Sequence, residues 1–323
     1  MRSNYTQTKL RLDMALDTAD IITGERLAAI ADFAIVTTDS LVVPYVRKHP
    51  EKVLVVDHLP LRVSHPTRQR IHAAKILFLK TDLVPLFPMF HSFLRDGVTI
   101  ITHDSDYGVT TYPVPPEKQM QPATVFDISR YLGSPKIVAW YAVNCQSAHP
   151  KLHPIPLGIA NSQYSHGDLQ VFHSVRRHTI PRNVSCYANF SCHTNPEERN
   201  RAKETLSQNG FAVTDASTDG ACLPYDEFLQ QLRKSKTVAC PIGNGTDSYR
   251  VWESLYLGAV PIVSRHPMWE HFRGLGLPIL IVDNFSVVTE SWISRALDTL
   301  TNSPLLSRRA LDIRQWERCL RSQ

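Results

Sequence analysis

The most informative stretch of the sequence is residues 240–264, CPIGNGTDSYRVWESLYLGAVPIVS. Its pattern predicts a short strand, a loop with two glycines, a helix that ends at Gly258 and a second strand. In open α/β sheets, ligands lie beyond the carboxyl ends of the strands, where a helix N-terminus presents free N–H groups and a partial positive charge to phosphate. The stretch therefore predicts an α/β fold with a phosphate-binding loop after one of its strands.

The side chains of this loop and helix suit a nucleotide. Gly243 and Gly245 allow a ligand to approach the backbone closely. Arg250 and Glu253 are three residues apart on the predicted helix and so share a face. There an arginine can hold a diphosphate, and a glutamate can accept hydrogen bonds from ribose hydroxyls. The residues that we predict to bind the ligand here are Gly243, Asn244, Gly245, Asp247, Ser248, Tyr249, Arg250 and Glu253.

A purely structural explanation of the same residues stays open. Asp247 or Ser248 would cap the helix, and Arg250 and Glu253 would form an ion pair on its surface. The loop GNGTDSYR lacks the lysine of the phosphate loop GxxxxGK[ST], and its glycines do not have the GxGxxG spacing. The two common nucleotide-binding motifs are therefore excluded.

Buried strands and helices alternate along the rest of the chain. Short apolar runs bounded by turn residues predict parallel strands, and residues 85–95 and 122–132 predict crossover helices. Residues 144–182, rich in proline, histidine and glycine, break this rhythm, and a second series follows. The first series has strands that begin at Phe33, Lys52, Ala74, Val98 and Lys136; the second has strands at 183–190, 211–214, 237–240, 260–264 and 278–282 and helices at 195–209, 225–234 and 248–257.

This alternation is typical of doubly wound parallel sheets, and its interruption predicts two Rossmann-like domains. We expect the N-terminal domain at residues 1–165 and the C-terminal domain at residues 166–303. The arginine-rich, amphipathic stretch within residues 304–323 predicts a last helix that could cross back to the first domain. A length of 323 residues suits two domains that each bury a core.

The composition is that of a folded protein. Apolar residues make up 43% of the chain and charged residues 20%, which excludes disordered and fibrous classes. Lysine and arginine number 35 against 30 aspartates and glutamates, with no basic tail, so we expect no nucleic-acid partner. The net charge of +5 would help to attract an anionic small molecule.

The sequence also predicts the compartment. Residues 1–17 contain no apolar segment of signal-peptide length, and no later run approaches the roughly 20 apolar residues of a spanning helix. The six cysteines include no CxxC pair, which argues against a zinc knuckle or a disulfide framework. We therefore expect a cytoplasmic protein with reduced thiols and no stable membrane insertion.

A resemblance to a known family rests on the stretch PIGNGTDSYRVWESLYLGAVPIV. It is similar to the donor-site signature of exostosin-like glycosyltransferases, in which a proline-glycine loop and a Ser/Thr-x-Arg-x-x-Glu helix precede a Gly-x-x-Pro-Val/Ile strand. IPLGIAN at residues 155–161 and YANFSCHTNPEER at residues 187–199 also resemble the family. The resemblance covers residues 100–283, and the positions that fit the signature are Gly243, Ser248, Arg250, Glu253, Gly258 and Pro261.

The resemblance implies a GT-B fold, in which two Rossmann-like domains face each other across a cleft. It implies that the C-terminal domain binds a nucleotide sugar, that the acceptor is a carbohydrate, and that transfer inverts the anomeric carbon. The donor would be UDP-linked, with xylose slightly favoured, and no cofactor is required besides this co-substrate. Animal members of the family are anchored in the Golgi membrane; without such an anchor, a microbial or viral setting would suit this chain.

An inverting transfer needs a general base for the acceptor hydroxyl and positive charge for the departing diphosphate. The sequence THDSD, residues 102–106, directly follows a predicted strand of the first domain and so faces the expected cleft. Its polar side chains, His103, Asp104 and Asp106, are the candidate bases. The alternative is that these residues only close a strand-helix turn.

Other polar residues are candidates for binding. Asn189 ends a predicted strand, and Arg199 lies near the start of the next helix, where it could be a second diphosphate contact. In the segment between the two series, Asn161, His166 and Asp168 could contact the acceptor or the transferred sugar.

Two rival hypotheses stay open. Asp104 and Asp106 form a DxD triplet after a strand, which is how metal-dependent GT-A transferases hold a divalent ion against the diphosphate. That reading leaves Arg250 and Glu253 without a role, so we predict no metal. The second rival is a protein that binds nucleotide or sugar without catalysis.

Overall fold

The computed structural model describes residues 20–38, 43–57, 61–111, 125–216, 218 and 222–323. The stretch 1–17, on which the expected lack of a signal peptide rests, lies outside these residues. The strands are β1 Phe33–Thr37, β2 Val53–Val56, β3 Ile76–Lys80, β4 Val98–His103, β5 Gly108–Thr110, β6 Val125–Asp127, β7 Ile137–Ala142, β8 Leu152–Pro154, β9 Val184–Phe190, β10 Val213–Asp215, β11 Ser235–Cys240, β12 Val260–Ser264 and β13 Leu280–Val282.

Helices connect most of these strands. They are α1 Gly24–Ile30, α2 Val43–Lys48, α3 His65–Ala73, α4 Phe87–Phe93, α5 Ser129–Leu132, α6 Leu169–Arg177, α7 Pro196–Gln208, α8 Tyr225–Lys234, α9 Tyr249–Leu257, α10 Pro267–Gly274, α11 Glu290–Thr301 and α12 Ile313–Arg321. Within the described ranges, none of them combines the length and the apolar character that crossing a membrane requires.

The strands form two larger parallel sheets and one small pair. The first sheet has the order β2-β1-β3-β4-β7-β8, the second has the order β10-β9-β11-β12-β13, and β5 pairs with β6. The strand order reverses between β1 and β3 in one sheet and between β9 and β11 in the other, as in a doubly wound fold. The architecture is therefore α/β and Rossmann-like, and each sheet has a switch point beyond which a ligand is expected to bind.

The predicted strands of both series are confirmed, since they coincide with β1 to β4, β7 and β9 to β13. The strands that the sequence did not predict are β5, β6 and β8, each only three residues long. Length alone does not explain the difference, because β10 and β13 are as short but overlap the longer predicted runs 211–214 and 278–282. The sequence therefore identified the parallel sheets but not the short strand at the end of the first one.

One local prediction is only partly confirmed. The helix predicted at residues 122–132 begins outside the described residues. Its described part contains β6 at Val125–Asp127 and a helix, α5, only at Ser129–Leu132, where the Asp127 carboxylate accepts a hydrogen bond from the Ser129 N–H. Trp269 lies in α10, which begins at Pro267 after the cap His266. Trp140, Trp252 and Trp269 are all fully buried and serve as packing residues.

One hydrophobic core joins the two sheets. Each sheet has a cluster of its own on one face, but the largest cluster contains Tyr141 from β7, Trp252 from α9 and Trp316 from α12. The rings of Tyr141 and Trp316 meet edge to face at 6.4 Å. The two sheets therefore share apolar packing as well as facing each other.

The last helix lies against the first part of the chain. The Arg314 guanidinium pairs with the Asp20 carboxylate at 2.9 Å, and α12 packs on α1. The buried Tyr256 hydroxyl accepts a hydrogen bond from Ile22 N–H at 2.9 Å and donates one to the Leu311 carbonyl at 2.8 Å. α12 is shorter than the predicted stretch of residues 304–323. The division of the chain into domains at residues 165 and 303 stays a prediction.

A linking segment, residues 155–161, runs between the sheets and needs a glycine. Gly158 has φ +75°, and a Cβ there would lie 2.3 Å from the Ile22 carbonyl oxygen. Gly97 has a similar φ of +78° but open space around it. We expect Gly97→Ala to cost about 1 kcal/mol of unfolding free energy and Gly158→Ala about 3 kcal/mol, because only the second adds a clash to the strain. Urea denaturation of both variants measures the difference, and equal losses would contradict the close contact.

Candidate functional site

A cleft of about 510 Å³ opens between the carboxyl ends of the two sheets. An adjoining side pocket of about 590 Å³ is lined mainly by α8, α9 and the residues around them, and it shares Arg199, Ser248 and Tyr249 with the cleft. The cleft residues on the first sheet's side include Lys80, Asp82, Asp104 and Asp106, and those on the second sheet's side include Thr194, Arg199, Gly243 and Ser248.

The glycine loop, residues 243–248, follows β11 and leads into α9. The Gly243 N–H donates to the Gly245 carbonyl at 3.2 Å and so closes the loop on itself. Ser248 is the N-cap residue of α9, but its side chain makes no capping hydrogen bond. Since Ser248 and Tyr249 both line the cleft, the partial positive charge at the N-terminus of α9 lies beside it.

Asp247 has a structural part in this loop. Its Oδ1 accepts hydrogen bonds from the Ser248 N–H and the Trp252 indole N–H, each at 2.7 Å, and its Oδ2 accepts one from the Leu157 N–H at 3.0 Å. Burial raises the pKa of its carboxyl group to about 7, although the three donors favour the ionised form. Asp247 therefore fixes the start of α9 to the linking segment, a structural role other than helix capping, and it also lines the cleft.

Arg199 reaches from α7 to the boundary between the cleft and the side pocket. Its guanidinium donates from Nε to the Ile242 carbonyl at 3.1 Å and from Nη1 to the Ser191 carbonyl at 2.7 Å. Burial, followed by the charge of Arg250, lowers its pKa to about 10. A Cβ on Gly243 would lie 2.3 Å from its Nη2, so only glycine leaves room for the guanidinium here. Arg199 forms no ion pair within the part of the chain that the structure describes, so its positive charge is available to an anion.

Arg250 brings a second guanidinium to the side pocket, close enough to Arg199 for the two charges to repel. Its group lies over the Phe228 ring at 5.9 Å, and its Nε is buried with no hydrogen-bond partner among the described residues. A buried donor without a partner costs about 1–3 kcal/mol unless a ligand or water satisfies it. The described ion pairs include none between Arg250 and Glu253, so the surface ion pair of the structural explanation is wrong.

Glu253 is buried at the side pocket, with 3% of its surface exposed. The Tyr225 hydroxyl donates a hydrogen bond to its Oε1 at 3.1 Å, and burial raises the pKa of its carboxyl group to about 7. Leu223, Pro224 and Phe228 supply apolar surface to the same pocket. The pocket thus pairs a flat apolar wall with one carboxyl group, which suits a base and its ribose.

The raised pKa of Glu253 predicts a pH-dependent stability. A carboxyl group whose folded-state pKa lies above its unfolded value stabilises the fold at low pH, and this contribution is lost as pH rises from roughly 4 to 7. Buried His103 and His266, whose pKa values burial lowers to about 4, act in the opposite direction below pH 6.5. The contribution of Glu253 to stability must therefore be measured as the difference in stability between the wild type and a Glu253 variant.

We expect Glu253→Gln to gain stability relative to the wild type as pH rises from 5 to 8, because glutamine has no charge to bury. Thermal unfolding of both proteins across this range measures the difference in melting temperature. A difference that stays constant with pH would contradict the raised pKa of Glu253.

The opposite wall carries the acid loop, residues 104–106. Asp104 is buried, with φ +66°, whereas Asp106 is exposed to the cleft. The pKa of the Asp106 carboxyl group is raised by partial desolvation and by the charge of Asp82, and a hydrogen bond with the Asn244 side chain opposes this. His103 does not line the cleft: it is buried, and its Nε2 bonds to the Pro156 carbonyl at 3.1 Å. The structure thus brings two of the three candidate bases to the cleft.

The candidates for acceptor or sugar binding are not brought together. Asn161 is buried outside both pockets, where its Oδ1 accepts a hydrogen bond from the Glu25 N–H at 2.8 Å. Asp168 caps α6 by accepting the Gln170 N–H at 2.8 Å. His166 does line the side pocket, and its ring stacks on that of Tyr164 at 5.1 Å.

Asn189 also lines the side pocket, and its side-chain amide donates to the Tyr187 hydroxyl at 3.0 Å. Sequence reasoning missed several residues of the site. Lys80 ends β3 and Asp82 follows it, beside the switch point of the first sheet. The rule that ligands bind beyond the carboxyl ends of parallel strands, which identified the acid loop, could also have found these two residues. Tyr225 and Tyr164 carried no such signal. The missed residues are Lys80, Asp82, Tyr164, Thr194 and Tyr225.

No family model matches the sequence, and a search of curated proteins finds no match. The resemblance to exostosin-like glycosyltransferases therefore stays a prediction from the sequence. Among the described residues, no group of three or more histidine, cysteine, aspartate or glutamate side chains is placed to hold a metal ion. The cations and carboxylates around the cleft determine what the site can bind.

Proposed function

We propose that this protein is an inverting, exostosin-like glycosyltransferase of the GT-B type, which moves a sugar from a nucleotide sugar to a hydroxyl group of a glycan. One observation carries the proposal. Two interacting guanidinium groups, with no ion pair among the described residues, line the side pocket: that of Arg250, and that of Arg199, which also lines the cleft. They lie beyond the switch point between β9 and β11, where a doubly wound sheet binds its ligand.

In this proposal, the two pockets bind different parts of the nucleotide-sugar donor. The nucleoside occupies the side pocket, with its ribose at Glu253 and its base against the apolar wall around Phe228. The diphosphate lies between Arg199 and Arg250 at the N-terminus of α9, and the sugar extends into the cleft. Volumes of about 510 and 590 Å³ are in the usual range for ligand sites. We expect a UDP-linked donor, with xylose favoured by the resemblance.

The catalytic base of the reaction comes from the wall of the cleft on the first sheet's side. Asp106 removes the proton from the acceptor hydroxyl, and the oxygen attacks the anomeric carbon from the face opposite the diphosphate. The bond between the anomeric carbon and the phosphate oxygen breaks, and its electron pair leaves with the nucleoside diphosphate. Arg199 and Arg250 stabilise this negative charge. Asp106 is favoured over Asp104 and His103 because it is the most open to the cleft.

A thermal-shift screen with nucleoside diphosphates and nucleotide sugars, followed by product detection with a glycan panel, tests the proposal. A ligand at 100 times its Kd should stabilise the protein by about 2.7 kcal/mol. We expect uridine nucleotides to stabilise it and a transferred sugar to be detected. Stabilisation without turnover would support the non-catalytic alternative, and loss of transfer in a chelator would support a metal-dependent one. A screen with no stabilising nucleotide would contradict the proposal.

A further inference from the structure

Asn144 joins the two walls of the cleft. It lies just after β7, is 1% exposed and has φ +50°, a left-handed conformation that asparagine tolerates better than most residues. Its Nδ2 donates to the carbonyl oxygens of Ser105 at 3.3 Å and Asp106 at 3.2 Å. Its Oδ1 accepts a hydrogen bond from the Asp247 N–H at 2.7 Å. One side chain therefore holds the backbones of the acid loop and the glycine loop at once.

The packing around Asn144 leaves no free space on either side. A Cβ on Gly245 would lie 2.7 Å from the Asn144 Nδ2, and a Cβ on Gly108 would lie 2.2 Å from the Asn144 carbonyl oxygen. The glycine loop and the segment after the acid loop thus both touch Asn144 directly. Because such close-packed contacts do not compress, a small shift of the glycine loop must move the acid loop as well.

We propose that Asn144 is a positioning residue that couples donor binding at the glycine loop to the placement of the Asp106 carboxylate. This rests on the proposed function. A donor diphosphate that orders the glycine loop would, through the Asp247 N–H and the Asn144 amide, also order the carbonyls of Ser105 and Asp106. A bound donor would thus strengthen the hold on the base that Asn144 already provides in the free protein.

Asn144→Asp keeps the link from Asn144 to the glycine loop and breaks its link to the acid loop. Aspartate accepts the left-handed backbone and keeps an oxygen for the Asp247 N–H, but it offers no donor to the Ser105 and Asp106 carbonyls. Asn144→Gly keeps the backbone conformation and removes both links, and it serves if the buried carboxylate of the first variant prevents folding. Tyr256→Phe is the matched control, because it removes another buried bridge whose side chain lines neither pocket.

The experiment measures three quantities on each protein: the Kd for UDP, kcat, and amide hydrogen exchange with and without UDP. In the wild type, we expect UDP to slow exchange in both loops, residues 104–106 and 243–248. In Asn144→Asp we expect a Kd within about threefold of the wild type, protection of the glycine loop only, and kcat about 100-fold lower, as for a catalytic group misplaced by about 1 Å. Asn144→Gly should show the same losses at the acid loop with weaker UDP binding.

Tyr256→Phe should melt at a lower temperature with Kd and kcat within about twofold of the wild type, because its bridge is only structural. The proposal is overturned if the folded Asn144 variants keep UDP-dependent protection of the acid loop, or keep kcat within about threefold of the wild type. If UDP protects neither loop in the wild type, the proposed function fails and this inference fails with it. Protection of the glycine loop alone in the wild type overturns the coupling and leaves the proposed function standing.

Discussion

Arg250→Ala should weaken nucleotide binding about 100-fold, a loss of roughly 3 kcal/mol, because a buried guanidinium would no longer meet the diphosphate. The same change should leave the ligand-free protein at least as stable as the wild type. In the free protein, the Arg250 Nε has no hydrogen-bond partner among the described residues, and its charge repels that of Arg199. Isothermal titration and thermal unfolding measure the two effects separately.

The matched control for this variant is Arg265→Ala. Arg265 is an exposed arginine that pairs with Asp283 and Glu270 and lines neither pocket, so its loss should not change nucleotide affinity. Arg250→Lys tests the geometry further, since an ammonium group keeps the charge but cannot bind a diphosphate in two places. If Arg250→Ala bound nucleotide as the wild type does, the diphosphate would lie elsewhere.

Asp106→Asn should reduce kcat about 1,000-fold with donor affinity unchanged within about twofold, because the amide has the shape of the carboxylate but cannot take a proton. Partial desolvation and the charge of Asp82 raise the pKa of Asp106, and the base must be ionised to act. In the wild type, kcat should therefore fall with decreasing pH at a higher pH than for an ordinary aspartate. Steady-state kinetics from pH 4 to 8 measure both effects.

Asp104→Asn is the comparison that makes this test specific. Asp104 also lines the cleft but is buried in a left-handed conformation, so we expect its substitution to change kcat much less. The opposite result, a large loss in Asp104→Asn and a small one in Asp106→Asn, would transfer the role of base to Asp104.

The strands and the glycine loop could be predicted because their signals are local. A run of apolar residues between turn residues is visible in the sequence wherever it occurs, and β11, the glycine loop and α9 follow one another without interruption. The small strands β5, β6 and β8, with the sequences GVT, VFD and LHP, form no such run. Their place depends on neighbours distant in the sequence, as when β7 accepts β8 at its edge.

The residues of the site were predictable only in part, and the reason is burial. Spacing on a helix correctly put Arg250 and Glu253 on one face, but it could not show that Glu253 bonds to Tyr225, which lies 28 residues earlier. It also could not show that the Asp247 carboxylate is occupied by an N–H from Leu157, 90 residues away. Contacts between distant segments decide whether a polar side chain binds a ligand or holds the fold together.

The contact between α12 and α1 has a consequence for synthesis of the chain. Ile22 and Tyr141 belong to a core that also needs Trp316 and the Leu311 carbonyl, which are synthesised much later. At translation rates of about 5–20 residues per second, the emerging first sheet keeps one apolar face uncovered for many seconds. Native packing of that face must therefore wait until residues 311–316 have left the ribosome, and shielding by a chaperone would raise the yield.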